Sequence, residues 1–524
     1  MFGFRSIAEA KKLNLDQRRI LHKLFINLNK CIEYAASDEV AFSSGGVYIL
    51  DSSPGTGKTF TLSQFGKQSP IPLLYVAYSS NLKGDMDGAP NIDTATCCSF
   101  LCRTLKIKYM SAINLWYPQG KTFHEMCRHV FDLVESATFS HQILVIDEYT
   151  VLSPWMIVWF MWCVDRYLLH IIFVGDSYQH ASMSQTKYCT VNNFTLLSAI
   201  PVTETFTLTV NVRQNSDAWF QKVLAYIRSQ MASSHMTKME FSHKLMLYKL
   251  FKDRFYNAVR DDAFFFAQYH RFIKQHIDAM QGGVKMPYVI KKTSTSWLAP
   301  KFSENSKFPL YLYLKVGCLY KLKNKIVRLT KATAKTVTVQ ETTNRQSHNL
   351  VRTRVTAQTV HKELHAWLAK SGSAYYQYPL NHLTSTYHAI QGMTIPQTLV
   401  DFQIDVSHLN SLYVGLSRLS TRNQINSIQT TDLESLKATS YYNDDYFYFT
   451  NKFDTATVYS EGKGSSPHWR QKKPNTTQVA ANYCNMLGNF CKAIYGQYER
   501  VHALTVHELM DQYPQSMLDT PEFQ

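Results

Sequence analysis

The segment Ser52-Ser-Pro-Gly-Thr-Gly-Lys-Thr59 limits what this chain can fold into more than any other stretch. An apolar β-type run, Val47-Tyr-Ile-Leu50, precedes it, and a helix start at Phe60-Thr-Leu-Ser follows. Strand, glycine turn and helix are the context that a phosphate-binding loop requires. Gly55 and Gly57 allow the backbone to curl so that its N–H groups point inward at phosphate oxygens. Pro54 and Thr56 complete the turn, Lys58 adds a point charge, and the Thr59 hydroxyl suits Mg²⁺. The new helix directs its N-terminal dipole at the anion. The strict G-x-x-x-x-G-K-T pattern has Ser52 in place of its first glycine, and the competing reading is a plain glycine turn with an exposed lysine.

A second signal is Ile143-Leu-Val-Ile-Asp-Glu148, an apolar run of buried-strand character ending in two carboxylates. Asp147 is placed to hold Mg²⁺ and Glu148 to polarise an attacking water. His170-Ile-Ile-Phe-Val-Gly-Asp-Ser-Tyr-Gln179 is another such strand, with Gln179 in the loop at its end. Phe206–Gln214 alternates like a strand and delivers Arg213. Further strand candidates are Leu73–Ala77, followed by Tyr78, and Thr398–Ile404. In open α/β sheets ligands bind at the carboxyl ends of strands, so these polar clusters describe one active site. Leu13–Leu21 opens an amphipathic helix whose Leu21, Leu24, Phe25 and Leu28 face a core, with Gln17 on its early turns. Val151–Val164 is too short for a membrane span and reads as a buried helix.

A chain of 524 residues, 45% hydrophobic, supports several domains. Its formal charge of +16 favours a polyanionic partner, nucleic acid being the commonest. Ten cysteines without a C-x-x-C pair, and no signal-peptide h-region at the N-terminus, read as intracellular and reduced. Cys97, Cys98, Cys102, His124, Cys127 and His129 lack the tight paired spacing of a zinc site. Residues 215–295 read as largely helical, with Phe264–Ile273 as a core stripe. Residues 310–340 change to strands, basic through Lys315, Lys321, Lys323, Lys325 and Arg328, a composition that suits single-stranded nucleic acid or a solvated face. Gly462–Pro474 reads as a flexible basic linker before a C-terminal helical segment.

Taken in order, the motifs resemble superfamily 1 helicases of the PIF-type branch that also holds RecD and Dda. L-N-L-D-Q-R at 13–18 is similar to that branch's glutamine motif, P-G-T-G-K-T at 54–59 to motif I, and T-C-C-S-F-L at 96–101 to its T-I-H-S-F motif. V-I-D-E at 145–148, G-D-S-Y-Q at 175–179 and N-V-R-Q at 211–214 resemble motifs II, III and IV. L-K-V-G-C-L-Y-K-L-K-N at 314–324 resembles the entrance to the branch's small β-barrel. T-S-T-Y-H-A-I-Q-G-M-T at 384–394 and L-Y-V-G-L-S-R at 412–418 resemble motifs V and VI. The last also resembles the helicase subunit of herpesvirus helicase–primases, which points to a large-DNA-virus replicative protein.

The resemblance implies an α/β fold with two RecA-like P-loop domains, a small inserted β-barrel module and a C-terminal extension. Residues 1–205 form the first domain, with a small insert over 100–140; 206–300 and 375–440 form the second. Residues 301–374 form the inserted module, and 441–524 the basic linker and extension. ATP is the implied cofactor, with Mg²⁺ on Thr59 and Asp147. Gln17 contacts adenine, and Pro54, Gly55, Thr56, Gly57, Lys58, Thr59 and Gly392 bind the nucleotide. Lys58, Asp147, Glu148, Gln179, Arg213 and Arg418 are catalytic, with Arg213 and Arg418 brought from the second domain. Tyr78, Thr96, Phe100, His388 and Gln391 fall on the nucleic-acid side.

The implied activity is a 5′ to 3′ DNA helicase of replication or repair. It acts on single-stranded, fork or overhang DNA, in the nucleus for a viral or eukaryotic replication protein and otherwise in the cytoplasm, with a primase as a possible companion. The alternatives are an RNA-directed helicase and a non-catalytic scaffold subunit of a helicase–primase. The charge balance yields a first prediction. Affinity for a single strand falls steeply between low and physiological salt, read by fluorescence anisotropy of a labelled oligonucleotide; a flat response contradicts phosphate-dominated binding.

Overall fold

The computed structural model describes residue 3 and residues 12–34, 40–78, 86, 88–108, 133, 136–152, 154–180, 197, 202–231, 239–291, 297–299, 309–322, 325–333, 336–342, 344–356, 364–365, 368, 372–392, 395 and 398–442. They fall into two compact units that divide between residues 237 and 238. Residues 206–231, expected at the start of a second domain, therefore lie in the first unit. Most of the expected 100–140 insert and nearly all of the C-terminal extension lie outside the described residues.

The first unit begins with α1 (Leu15–Lys30). Asn14 caps it: its side chain accepts from Gln17 N at 2.9 Å, and the Gln17 side chain accepts from Asn14 N at 3.1 Å. This reciprocal box satisfies two N–H groups that a helix start leaves open. The expected apolar face, Leu21, Leu24, Phe25 and Leu28, is buried in one core with Phe65, Leu73 and Tyr75. Behind it stand β1 (Gly46–Asp51), β2 (Leu73–Ala77), β3 (Ile92–Thr96), β4 (Ile143–Asp147), β5 (His170–Gly175) and β6 (Glu204–Phe206). They form one parallel sheet in the order β3-β2-β4-β5-β1-β6. Buried parallel strands are apolar on both faces, which is why β1, β2, β4 and β5 were visible as continuous runs. Helices α2 (Lys58–Gln68), α3 (Cys97–Thr104), α4 (Pro154–Arg166) and α5 (Ala218–Gln230) complete the unit. In α4, Trp159 and Phe160 are fully buried, and the Phe160 ring meets Phe173 of β5 edge-on.

The alternating stretch Phe206–Gln214 does not continue as a strand. Only Glu204–Phe206 pairs, with β1, and residues 207–212 belong to no ladder. Two of their amides go to the phosphate-binding loop, Leu208 N to Ser52 Oγ at 2.7 Å and Val212 N to Gly55 O at 2.7 Å, and Thr209 N donates to Asp16 Oδ2 at 3.1 Å. A period of two is equally compatible with an extended strap whose hydrogen bonds go elsewhere.

The second unit contains α6 (Phe241–Leu250), β7 (Phe264–Ala267), α7 (His270–Ala279), β8 (Leu319–Leu322), β9 (Lys325–Ala332), β10 (Val337–Glu341), β11 (Ser347–Leu350), β12 (Asn381–His382), β13 (Thr384–Thr386), β14 (Val400–Gln403), α8 (Leu409–Ser417) and β15 (Ile425–Gln429). A parallel sheet runs β13-β7-β14-β15. Its strand β7 lies inside the stretch expected to be helical. Phe264-Phe-Phe-Ala is buried at all four positions, the signature of a central parallel strand, and Phe266 packs edge-on against Tyr387 and Phe402. A separate antiparallel sheet, β11-β10-β9-β8-β12, holds strands of the 310–340 stretch together with Ser347–Leu350 and Asn381–His382. Two of its basic residues are paired within the unit: Lys315 with Asp261, and Lys325 with Glu341 at 2.7 Å. Lys323 lies outside the described residues. The protein is thus α/β, with a parallel sheet in each unit and a small antiparallel module in the second. No described helix is long and apolar enough to cross a membrane.

His170, at the start of β5, is fully buried beside Phe42 and Tyr48, with ring centroids 4.2 and 6.0 Å away. Burial pushes its pKa down to about 4. The unfolded chain takes up that proton near pH 6.5, so the stability this neutral ring contributes is complete above pH 6.5 and lost as pH falls toward 4. The expected loss is on the order of 3 kcal/mol. Denaturant unfolding between pH 7 and 4.5 checks it, and His170→Phe makes the decline shallower.

Candidate active site

The phosphate-binding loop occupies residues 52–57, between β1 and α2. Gly55 and Gly57 have φ of 79° and 85°, the left-handed region that side chains resist. Gly57 caps α2 without any side-chain hydrogen bond, and the first turn of a helix is where backbone amides meet an anion. Lys58 Nζ lies over the loop, donating to Ser52 O at 2.7 Å and Ser53 O at 3.1 Å. Thr56 Oγ1 donates to Ser53 O at 2.9 Å, fixing the turn, while Pro54 O accepts from Asn211 Nδ2 at 3.4 Å. Thr59, partly exposed, stands in the first turn of α2. Gln17 is buried against the loop: a Cβ on Gly57 would come within 2.8 Å of its Nε2. Gln17 Oε1 is used by the helix cap, which leaves the amide nitrogen as the end that faces the loop.

Two strands away, Asp147 ends β4. Its Oδ1 accepts from Glu148 N at 3.0 Å and its Oδ2 accepts from the Tyr75 hydroxyl. Burial raises its pKa to about 7, with the Glu148 charge adding and Tyr75 and Lys58 opposing. Glu148 is buried and takes φ of 52°. A non-glycine residue held there carries strain, and such strain gathers at working sites. Two adjacent buried carboxyl groups, one with its pKa raised by burial, suit a divalent ion. Among the described residues no three His, Cys, Asp or Glu side chains form a metal cage. Mg²⁺ beside phosphate needs none, because it takes one or two protein oxygens plus phosphates and water. Thr59 and Asp147 therefore fit it.

β5 lies between β1 and β4, so its loop emerges between the phosphate loop and the two carboxylates. Gln179, on that loop, is buried, with Nε2 donating to Asp176 Oδ2 at 3.4 Å and N to Asp176 O at 3.0 Å. Arg213 is brought to the same place from within the first unit: its N–H donates to Gly55 O at 3.1 Å, and a Cβ on Gly55 would strike Arg213 Cβ at 2.7 Å. Arg213, expected from the second domain, lies in the first unit.

Four residues of this neighbourhood went unread in the sequence: Tyr75, Asp51, Asp176 and Arg228. Asp51 and Asp176 each follow or end an apolar strand, the same signal that marked Asp147. Asp51 is buried among Ser177, Tyr149 and Asp176, and burial first, then Asp176, raises its pKa to about 6.

The residues expected on the nucleic-acid side are distributed differently. Phe100 is buried in an aromatic cluster, stacked on Phe160 at 5.9 Å and tilted against Trp159 at 6.1 Å. Its face is part of the core and is not open to a base. Tyr78 packs on the edge of the first core, half-exposed. Thr96 caps α3, its Oγ1 accepting from Ser99 N at 3.4 Å. In the second unit, His388 lies in the turn Tyr387–Ile390, where burial and then His408 push its pKa down to about 4. Gln391 is buried just after that turn, and Gly392 follows with φ of 78°. Arg418 ends α8 and is 2% exposed, donating from Nε to Val414 O at 3.1 Å and from Nη2 to Ser417 Oγ at 2.9 Å.

Comparison with known proteins adds three findings. Residues 34–245 match a family model described as an AAA domain. No curated protein matches the chain. Among solved structures, two coordinating Pif1 helicases at forked double-stranded DNA share 17% identity, cover 84% of this chain and 98% of that one, and have a TM-score of 0.46. A Bacteroides Pif1 bound to single-stranded DNA shares 16%, with 84% and 97% covered and a TM-score of 0.46. A Bacteroides Pif1 with ADP-AlF4 shares 17%, with 82% and 96% covered and a TM-score of 0.44. At identities and scores this low, any statement about function rests on the chain's own residues.

Ser52, the departure from the glycine pattern, is fully buried, and its hydroxyl accepts the Leu208 amide. Ser52→Ala leaves that buried N–H without its acceptor and destabilises the protein by about 1–3 kcal/mol, read from the midpoint of denaturant unfolding.

Proposed function

We propose that this protein is an ATP-dependent DNA helicase, a motor that hydrolyses ATP to move along single-stranded DNA. One observation carries the reading. The phosphate-binding loop, the Asp147-Glu148 pair and Gln179 stand at neighbouring carboxyl ends of one parallel sheet. In that arrangement the loop amides and Lys58 hold the phosphates, and Gln17 meets the base. Glu148 orients and deprotonates the attacking water. Gln179 and Arg213 read the γ-phosphate. Mg²⁺, held by Thr59 and Asp147 with the phosphates, supplies charge neutralisation for phosphoryl transfer. Arg418 is assigned the arginine-finger role by the motif it ends.

The ordered motif series supports DNA as the track, 5′ to 3′ as the direction and replication or repair as the setting. Fork and overhang DNA are the proposed substrates. His388, Gln391, Thr96 and Tyr78 are the proposed strand-side or coupling residues; Phe100 supports them from the core. A viral replication setting with a primase partner and nuclear location belongs to the same proposal. The scaffold alternative is disfavoured because Lys58, Asp147, Glu148, Gln179, Arg213 and Arg418 are all retained.

ATP turnover with and without single-stranded DNA tests this. The expected result is strong stimulation by DNA, and a fall of about 10²-fold or more in Lys58→Ala, which removes a charge that stabilises the transferring phosphoryl group. Stimulation by RNA alone moves the reading to an RNA motor, and no turnover with either sinks it.

A further inference from the structure

Beneath the catalytic loops lies a buried network that hydrolysis as described does not use. Asp51 ends β1, immediately before the phosphate-binding loop. Its Oδ1 accepts from Ser177 N at 2.7 Å and from the Tyr149 hydroxyl at 3.0 Å; its Oδ2 accepts from Ser177 Oγ at 2.9 Å. Asp176 stands beside it and is fully buried. Its Oδ1 accepts from Tyr178 N and from Arg228 Nη2, both at 3.1 Å, and its Oδ2 accepts from Gln179 Nε2 at 3.4 Å. The Arg228 guanidinium lies 4.3 Å over the Tyr178 ring.

We propose that Asp51 is a positioning residue that locks the loops bearing Glu148 and Gln179 onto the phosphate-binding loop, with Arg228 holding the Asp176 side of the lock. Glu148 and Gln179 do the chemistry only in the reading given above, and the inference rests on it. Tyr149 directly follows Glu148 and opens the short turn Tyr149–Val151. Its bond to Asp51 fixes the strained backbone that presents the Glu148 carboxylate. Ser177 lies two residues before Gln179, and its two bonds to the same carboxylate fix that loop. One side chain thus joins three loops from β1, β4 and β5.

Stability alone is a poor reason for this arrangement. Two neighbouring buried carboxylates are costly, and apolar residues commonly fill such space at no loss. Burial and Asp176 both raise the Asp51 pKa, while Arg228 and Ser177 offset part of the penalty. What the network supplies is fixed geometry, on which proton transfer to a positioned base depends.

The experiment measures ATP turnover at saturating single-stranded DNA for the full chain and for Tyr149→Phe and Ser177→Ala, each of which deletes one hydroxyl at Asp51. Thermal unfolding is followed in parallel, with assays well below every midpoint. Misplacement of catalytic groups by a fraction of an ångström predicts kcat lower by about 10-fold in each, with KM for ATP unchanged. Arg228→Met should lose turnover likewise and Arg228→Lys should recover part of it. Wild-type kcat in Tyr149→Phe and Ser177→Ala, whatever their midpoints, overturns the inference and leaves the network purely structural. Lys58→Ala separates the two levels. Turnover in the wild type that this variant abolishes keeps the ATPase reading whatever the other variants do. Absence of turnover in the wild type overturns both.

Discussion

The parallel register of three strands governs everything else in the first unit. Asp51 of β1 lies opposite Gly175 of β5, and Asp147 of β4 opposite Val174. Three chain segments far apart in sequence therefore leave the sheet at the same level and on the same edge. Parallel strands all point their carboxyl ends one way, so the loops that follow must share one surface. With β5 in the middle, the Gln179 loop necessarily sits between the phosphate-binding loop and the carboxylates. No local feature of residues 176–179 determines that; the strand order does.

Crowding of acids at this edge has two different resolutions. Asp51 and Asp176 are satisfied from inside the protein by Ser177, Tyr149, Tyr178 and Arg228. Asp147 has Tyr75 and one backbone amide; burial first, then the Glu148 charge, raises its pKa to about 7 against the opposing effect of Tyr75 and Lys58. The same burial thus raises a carboxyl in each pair, Asp51 to about 6 and Asp147 to about 7.

Legibility in the sequence followed physical simplicity. The phosphate-binding loop was readable because glycine at residues 55 and 57 answers a backbone requirement that few other residues meet. Strands β1, β2, β4 and β5 were readable because burial on both faces demands unbroken apolar runs. Phe206–Gln214 misled because alternation reports an extended chain without saying what takes its hydrogen bonds, and here Ser52, Asp16 and Gly55 take them. Phe264–Ala267 was hidden because four apolar residues fit a buried helix turn as well as a strand. Phe100 lies in a motif suggestive of a strand-facing loop, yet its ring is fixed by partners, Trp159 and Phe160, that no local pattern reveals. Arg213 was expected with the second domain and lies in the first unit, since nothing within N-V-R-Q shows which core the segment joins. Asp51 was overlooked because its role depends wholly on Ser177 and Tyr149, both remote in sequence.

Ser52 brings these threads together. A departure from a glycine pattern matters where the backbone needs a conformation that only glycine accepts. The loop places that demand on Gly55 and Gly57, and Ser52 does not adopt a positive φ. The substitution thus meets no backbone obstacle, and it introduces an acceptor at a fully buried position. That acceptor takes the amide of Leu208, five residues ahead of Arg213, in the strap whose Val212 and Arg213 amides bond Gly55. The serine ties the strap to the base of the loop and the Gly55 carbonyl ties it to the crest. A strap held at both points has little freedom left, and the position of Arg213 follows from the loop to which its own amide is bonded.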